Sequence, residues 1–142
     1  MYKIEKKDFG YKLTFGGNMD LEEMTQWFND SKEVLQTASR SFGVFVDMRE
    51  LQLLEPDAQK EMQTGQRYYK RMGMKRSVVI LDNPILTVQF KRIALQSGIY
   101  DTERYIDASS VPNWEEIGID WINKGIDPDR NHKNKATTTK TV

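Results

Sequence analysis

The sequence predicts an α/β domain, in which a mixed β-sheet carries four helices. Two short apolar runs, residues 43–46 and 77–81, are too short for helices and each ends in an aspartate, as strands buried on both faces do. Segments with helical spacing follow both runs, and this alternation is typical of parallel βα units. Residues 2–15 instead alternate apolar with polar side chains, which predicts an antiparallel hairpin at the N-terminus.

The elements can be placed in chain order from these patterns. The hairpin strands are predicted over 2–6 and 11–15, and a first helix begins after Asp20, which forms a capping box with Glu23. An apolar stripe with helical spacing runs from Leu21 to Ala38. A buried strand then covers Phe42 to Asp47.

Proline, glycine and asparagine set the bounds of the later helices. The second helix begins at Pro56 and ends at Gly73, and the third begins with Asn83 as N-cap and ends at Gly98. A short strand over 104–107 follows. We expect a fourth helix between Asn113, capped through Glu116, and Gly125.

Composition limits the classes of function. The chain has 142 residues, no cysteine and a formal net charge of zero, so we expect one domain over residues 1–127 and a cytoplasmic location. No apolar run approaches the ~20 residues that span a bilayer. Residues 128–142 hold four basic residues against one acidic residue and are expected to form a disordered polar tail. The rest is therefore mildly acidic, which argues against nucleic-acid binding.

The order of elements resembles the STAS domain of SpoIIAA-like anti-sigma-factor antagonists, from residue 2 to about 125. Its sharpest part is the third strand leading into Asp47, followed by a helix. In those antagonists a serine or threonine follows the aspartate and is phosphorylated by a partner kinase. Met48 occupies that place here, so the resemblance does not extend to the phosphorylation switch. The phrases at 46–49, 79–83 and 104–109 are similar to those of the divergent STAS/SEC14-like group.

This resemblance implies a non-enzymatic protein-interaction module that acts in bacterial signalling or regulation and requires no cofactor. The polar part of its surface is expected at Asp47, Met48, Arg49 and Glu50, directly after the buried strand. Leu51, Leu53 and Leu54 would form the apolar part. Three leucines are unusual in a short connection, and they fit either an exposed binding patch or a segment folded back into the core. An exposed patch would also favour a homodimer.

Two other functions stay open at this stage. The SEC14-like resemblance and the many aromatic and methionine residues suggest a carrier of a small apolar ligand or lipid. A metal-dependent enzyme could use the aspartates that end the predicted strands, Asp47, Asp82 and Asp107, because Mg²⁺ prefers oxygen ligands. Each aspartate could equally cap the turn or helix that follows it. The only histidine, His132, lies in the tail, so we expect no Ser-His-Asp triad and no histidine-based metal site.

Overall fold

A five-stranded sheet and four helices make up the fold. A computed structural model describes residues 1–129, so the predicted disordered tail lies outside the described residues except for its first two positions. The strands are β1 (Tyr2–Lys7), β2 (Gly10–Gly17), β3 (Phe42–Leu51), β4 (Met74–Leu81) and β5 (Glu103–Asp107). The α-helices are α1 (Leu21–Val34), α2 (Pro56–Met72), α3 (Pro84–Ser97) and α4 (Trp114–Lys124). Short 3₁₀ turns cover Leu35–Thr37 and Tyr100–Thr102.

The strands lie in the order β1-β2-β3-β4-β5. β1 pairs with β2 in antiparallel fashion, and every later neighbour pair is parallel. This confirms the predicted mixed sheet with an N-terminal hairpin followed by βα units. Since parallel strands need long crossover connections, the helical segments between them are required by the topology.

The two faces of the sheet are covered unequally. α1, α2 and α3 enclose the larger core on one face, and the inward side chains of β3 on that face include Val44, Val46 and Met48. α4 covers the other face, where it packs on Phe45, Val78, Ile80 and Ile106. Side chains alternate between faces along a strand, which explains why consecutive apolar residues of β3 and β4 are all buried.

Local signals start and stop most of the helices as predicted. The Asp20 carboxylate accepts the Glu23 backbone N–H at 2.9 Å, and Asn83 caps α3 in the same way. Gly73 ends α2 with a φ of 123°, and a Cβ there would lie 2.3 Å from the Arg40 carbonyl oxygen, so only glycine fits. The capping box predicted for Asn113 is wrong, because that side chain makes no capping bond and its backbone (φ −97°, ψ 38°) is not extended.

α1 and α2 approach each other closely at Gly65. The Trp27 ring of α1 stacks on Tyr69 of α2 with centroids 5.7 Å apart, and it meets Phe15 edge-on. A Cβ at Gly65 would lie 2.2 Å from the Trp27 ring. The absence of a side chain at this position therefore allows the indole to lie between the two helices.

Within residues 1–129, the helices are all too short or too polar to cross a membrane.

Candidate functional site

β3 is longer at its carboxyl end than the sequence predicted. The strand does not stop at Asp47 but continues to Leu51, because β2 extends to Gly17 and supplies a partner for it. The register shifts on the way: Thr14 pairs with Asp47, whereas Gly16 pairs with Glu50. β3 thus holds one extra residue relative to β2, which is the arrangement of a β-bulge.

Asp47 and Arg49 form a tight ion pair across this bulge. The guanidinium donates from Nε to Oδ1 at 3.0 Å and from Nη2 to Oδ2 at 2.9 Å. The Arg49 backbone N–H also donates to Oδ1, at 3.1 Å. Arg49 lies 4.4 Å above the ring of Trp114, the first residue of α4. We call these three residues the Arg49 clamp.

The clamp is half inside the protein. The Asp47 side chain is 11% exposed and that of Arg49 is 40% exposed. Burial alone would raise the pKa of Asp47, but the hydrogen bonds from the Arg49 side chain and backbone, together with its charge, outweigh burial and lower the pKa. Asp47 is therefore ionised and fully engaged. The same hydrogen bonds raise the pKa of Arg49.

Apart from Asp47, the structure divides the predicted interaction residues into two groups. Arg49, Glu50 and Leu53 are exposed, the last with 46% of its surface. Met48, Leu51 and Leu54 are at most 5% exposed and lie in the core under α1, α2 and α3. The prediction that they contact a partner is therefore wrong. The bulge explains this pattern, because it places Leu51 rather than Glu50 on the inward side.

The connection after β3 is held to two helices. The Leu54 carbonyl accepts hydrogen bonds from Gln59 of α2 at 2.9 Å and from Gln89 of α3 at 3.1 Å. The Leu54 N–H donates to the Gln89 side chain at 3.0 Å. Leu53 directly precedes this anchored residue. Its side chain is therefore exposed to solvent while the adjacent backbone is held in place by hydrogen bonds.

The three strand-end aspartates do not converge. Within residues 1–129 no three His, Asp or Glu side chains are placed to hold a metal ion, so the alternative of an Asp47, Asp82 and Asp107 site is wrong. Asp107 accepts the Ser109 N–H at 2.9 Å and the hydroxyls of Ser109 and Ser110, and the Ser109 bonds lower its pKa. It thus caps the following turn. Asp82 is exposed, and its neighbour Asn83 caps α3 instead.

Sequence reasoning missed Glu103, a buried carboxyl at the start of β5. It is 4% exposed and accepts hydrogen bonds from Ser77 at 2.9 Å and from Tyr105 at 2.6 Å. Burial raises the pKa of Glu103 to about 7, although both hydrogen bonds act in the opposite direction. No signal in the sequence separates this glutamate from the exposed ones. The sequence also gives no sign of the contact between Trp114 and Arg49.

Glu103 borders a small cavity between the sheet and the α1–α2 pair. The cavity also touches Trp27, Gln66 and Tyr69, and its volume is about 30 Å³. That is room for about one water molecule. This cavity is therefore too small to hold a lipid.

Comparison with known proteins supports the fold. No family model matches the chain, and no curated protein matches it either. Among solved structures, an uncharacterized protein from the DUF3478 family of Shewanella loihica PV-4 superimposes with a TM-score of 0.56 and 16% sequence identity. The match covers 86% of this chain and 92% of that one, and that structure is described as SpoIIAA-like.

The chain has a SpoIIAA-like fold. This agrees with the family resemblance inferred from the order of elements and from the strand that leads into Asp47. At this level of identity the likeness concerns architecture alone. In this fold the Arg49 clamp and Leu53 lie at the carboxyl edge of the parallel part of the sheet, an edge where α/β proteins generally bind ligands and partners.

Proposed function

We propose that this protein is a non-enzymatic, STAS-like interaction module in bacterial regulation, whose protein partner binds at the carboxyl edge of β3. The surface consists of Arg49, Glu50 and Leu53. Met48, Leu51 and Leu54 support it from below as core residues.

The observation that carries this proposal is the fixed position of an exposed arginine. Two side-chain hydrogen bonds to Asp47 and the contact with the Trp114 ring hold the guanidinium, while 40% of the side chain reaches solvent. Ordering a long side chain on binding costs roughly 0.5–1.5 kcal/mol. That cost is largely met before a partner arrives, which favours Arg49 as a binding hot spot.

The clamp also indicates what the partner offers. Asp47 engages Nε and Nη2, and the guanidinium has a second terminal nitrogen that can donate to a carboxylate or carbonyl oxygen. Leu53 adds an apolar contact beside it, since 46% of its surface is exposed. A partner with an oxygen acceptor next to an apolar side chain would match both.

Two further features support a role without catalysis. The Asp47 carboxylate is held ionised by Arg49, so it is poorly suited to act as an acid or a base. Met48 occupies the place of the phosphorylated residue, and its side chain is 2% exposed. The module would therefore bind its partner without phosphorylation control at this position.

A site-specific crosslinker tests the proposal. With a photoreactive amino acid at Leu53, we expect one dominant protein adduct in cells, which mass spectrometry identifies. Arg49→Lys keeps the charge but loses the two-pronged contact, and it should reduce this adduct severalfold. The matched control carries the crosslinker at Leu21, which is similarly exposed on α1. Equal adducts at both positions, or no effect of Arg49→Lys, would contradict the proposal.

A further inference from the structure

The outer side of α3 exposes apolar side chains. Ile85, Val88 and Leu95 are 67%, 66% and 62% exposed, more than any other large hydrophobic residue among residues 1–129. Together with Arg92 they follow the spacing i, i+3, i+7 and i+10, which places them on one stripe of the helix. The opposite stripe of α3 is buried in the core, so this helix is apolar on two sides.

Basic residues are concentrated on α3 and its neighbour α2. α2 and α3 together carry six exposed cations, namely Lys60, Arg67, Lys70, Arg71, Lys91 and Arg92. They hold only two acids, Asp57 and Glu61, and the Glu61 carboxylate accepts a hydrogen bond from Thr25 of α1. The rest of the described chain is acidic, because four of the 21 basic residues and no acidic residue lie beyond residue 129. The positive charge is thus concentrated on two helices.

These two helices form a single surface. Lys70 donates from Nζ to the Gly98 carbonyl at 2.9 Å, and Arg92 donates to the Gln59 side chain at 3.3 Å. Gln63 and Gln96 form a further hydrogen bond between the helices. We call the six cations together with Ile85, Val88 and Leu95 the α2–α3 face.

We propose that the α2–α3 face binds peripherally to the surface of an anionic phospholipid bilayer. A bilayer supplies both chemistries that this face presents, since anionic headgroups attract lysine and arginine while the acyl boundary takes up apolar side chains. The three apolar residues lie on the solvent-facing side of α3, where the flat surface of a bilayer could contact all of them. This surface is separate from the Arg49 clamp and does not depend on it.

Other occupants fit these observations less well. A second copy of the chain that docked through the same face would bring six cations against six. A nucleic acid would match the charge but would leave the three apolar side chains without a partner.

The absence of cysteine makes a position-specific test simple. A single Leu95→Cys substitution in the full chain accepts one environment-sensitive fluorophore, because the protein has no other thiol. With vesicles of phosphatidylcholine that contain about one third phosphatidylserine, we expect a blue shift of the emission. Pure phosphatidylcholine vesicles should give none. The matched control is Leu21→Cys on α1, where the same dye should not shift with either vesicle.

Charge variants test the electrostatic part. Arg67→Gln with Arg92→Gln should weaken the affinity for the anionic vesicles, measured by sedimentation, roughly 30-fold, since each cation near such a surface contributes about 1 kcal/mol. Lys3→Gln with Arg40→Gln removes the same charge elsewhere and should change little. Circular dichroism confirms that each variant is folded.

Three results would overturn the proposal. The first is binding to the anionic vesicles that is no stronger than binding to neutral ones. The second is binding that is lost when Arg130, Lys133, Lys135 and Lys140 are neutralised but unchanged by Arg67→Gln with Arg92→Gln. The third is binding to polyglutamate with no emission shift at position 95 on vesicles, which would make this face a site for acidic proteins.

Discussion

The ion pair between Asp47 and Arg49 stabilises the end of β3 by keeping a buried carboxylate bonded. Arg49→Ala would leave the Asp47 oxygens without their main donors in a site that is 11% exposed. An unsatisfied buried group costs about 1–3 kcal/mol, and we expect the free energy of unfolding to fall by that amount at pH 7. Urea denaturation measures it. Arg40→Ala is the control, and equal losses in the two variants would contradict the prediction.

The same pair has a defined pH dependence. The pKa of Asp47 is lower in the folded protein than in the unfolded chain, so the unfolded state takes up its proton first as the pH falls. The stabilisation is complete above the unfolded pKa and is lost as the pH falls through the folded value. The difference between wild type and Arg49→Ala should therefore shrink below about pH 4. A constant difference down to pH 2 would show that the loss does not come from this carboxylate.

Glu103 should act in the opposite direction. Its pKa is raised to about 7 from an ordinary value of 4.5, so the folded state binds the proton more tightly. Stability is then full below about pH 4.5 and falls as the pH rises through 7. Glu103→Gln removes this charge while keeping groups that bond Ser77 and Tyr105. We expect its free energy of unfolding to be nearly constant between pH 5 and 8, where that of wild type declines.

Interpretation of this experiment is simplified by the composition. The chain has one histidine, His132, so few other side chains titrate in this range. His132→Gln provides the control and should keep the wild-type slope. Parallel slopes for wild type and Glu103→Gln would show that Glu103 is not the group responsible.

At the scale of single elements, the sequence pattern could not distinguish an asparagine that caps a helix from one that does not. Both Asn83 and Asn113 precede a helix, and both were predicted as N-caps. Only Asn83 accepts backbone N–H groups, from Ile85 at 2.9 Å and Leu86 at 3.2 Å. Asn83→Ala should lower the free energy of unfolding by about 1 kcal/mol, whereas Asn113→Ala should change it by less than half of that. Thermal denaturation of the two variants measures this difference. Equal losses of unfolding free energy would contradict the assignment of Asn83 as the only one of the two that caps a helix.

At the contact between α1 and α2 we expect a substitution that helix propensity favours to destabilise the protein. Alanine is favoured over glycine inside a helix by about 1 kcal/mol. At position 65 the added methyl group would meet the Trp27 ring at 2.2 Å, so we expect Gly65→Ala to destabilise the protein by about 1–3 kcal/mol. Thr64→Ala, on the exposed side of the same turn, should be neutral or slightly stabilising. A rise in the melting temperature of Gly65→Ala would show that the two helices can move apart.

At the scale of the whole molecule, the sequence predicted the architecture because its signals are local and regular. The alternation in the hairpin, the two short apolar runs and the helix ends at Pro56, Gly73 and Gly98 each follow from periodicity or backbone chemistry. The predictions that failed concern features that depend on contacts with other strands and helices. The extension of β3 to Leu51 comes from its pairing with β2, which no pattern within residues 42–51 reveals.

The candidate site was predicted only in part, for the same reason. Arg49, Glu50 and Leu53 lie at the sheet edge and are exposed, whereas the bulge that buries Leu51 is a property of two strands. The contact of Arg49 with Trp114 joins residues 65 positions apart, and the burial of Glu103 results from Ser77 and the surrounding core. Such features arise from packing between distant segments and leave no local pattern.

The inward direction of Met48 has a consequence for how this protein could be brought under covalent regulation. Because the pleat alternates, a serine at position 48 would carry its hydroxyl into the interior, out of reach of a kinase, and would leave a void of about two heavy atoms. A single codon change therefore cannot turn this chain into a phosphoprotein at that position. An evolutionary path to such control would first have to shift the register of β3 against β2 ahead of position 48, because Met48 faces inward in regular alternation with Val44 and Val46.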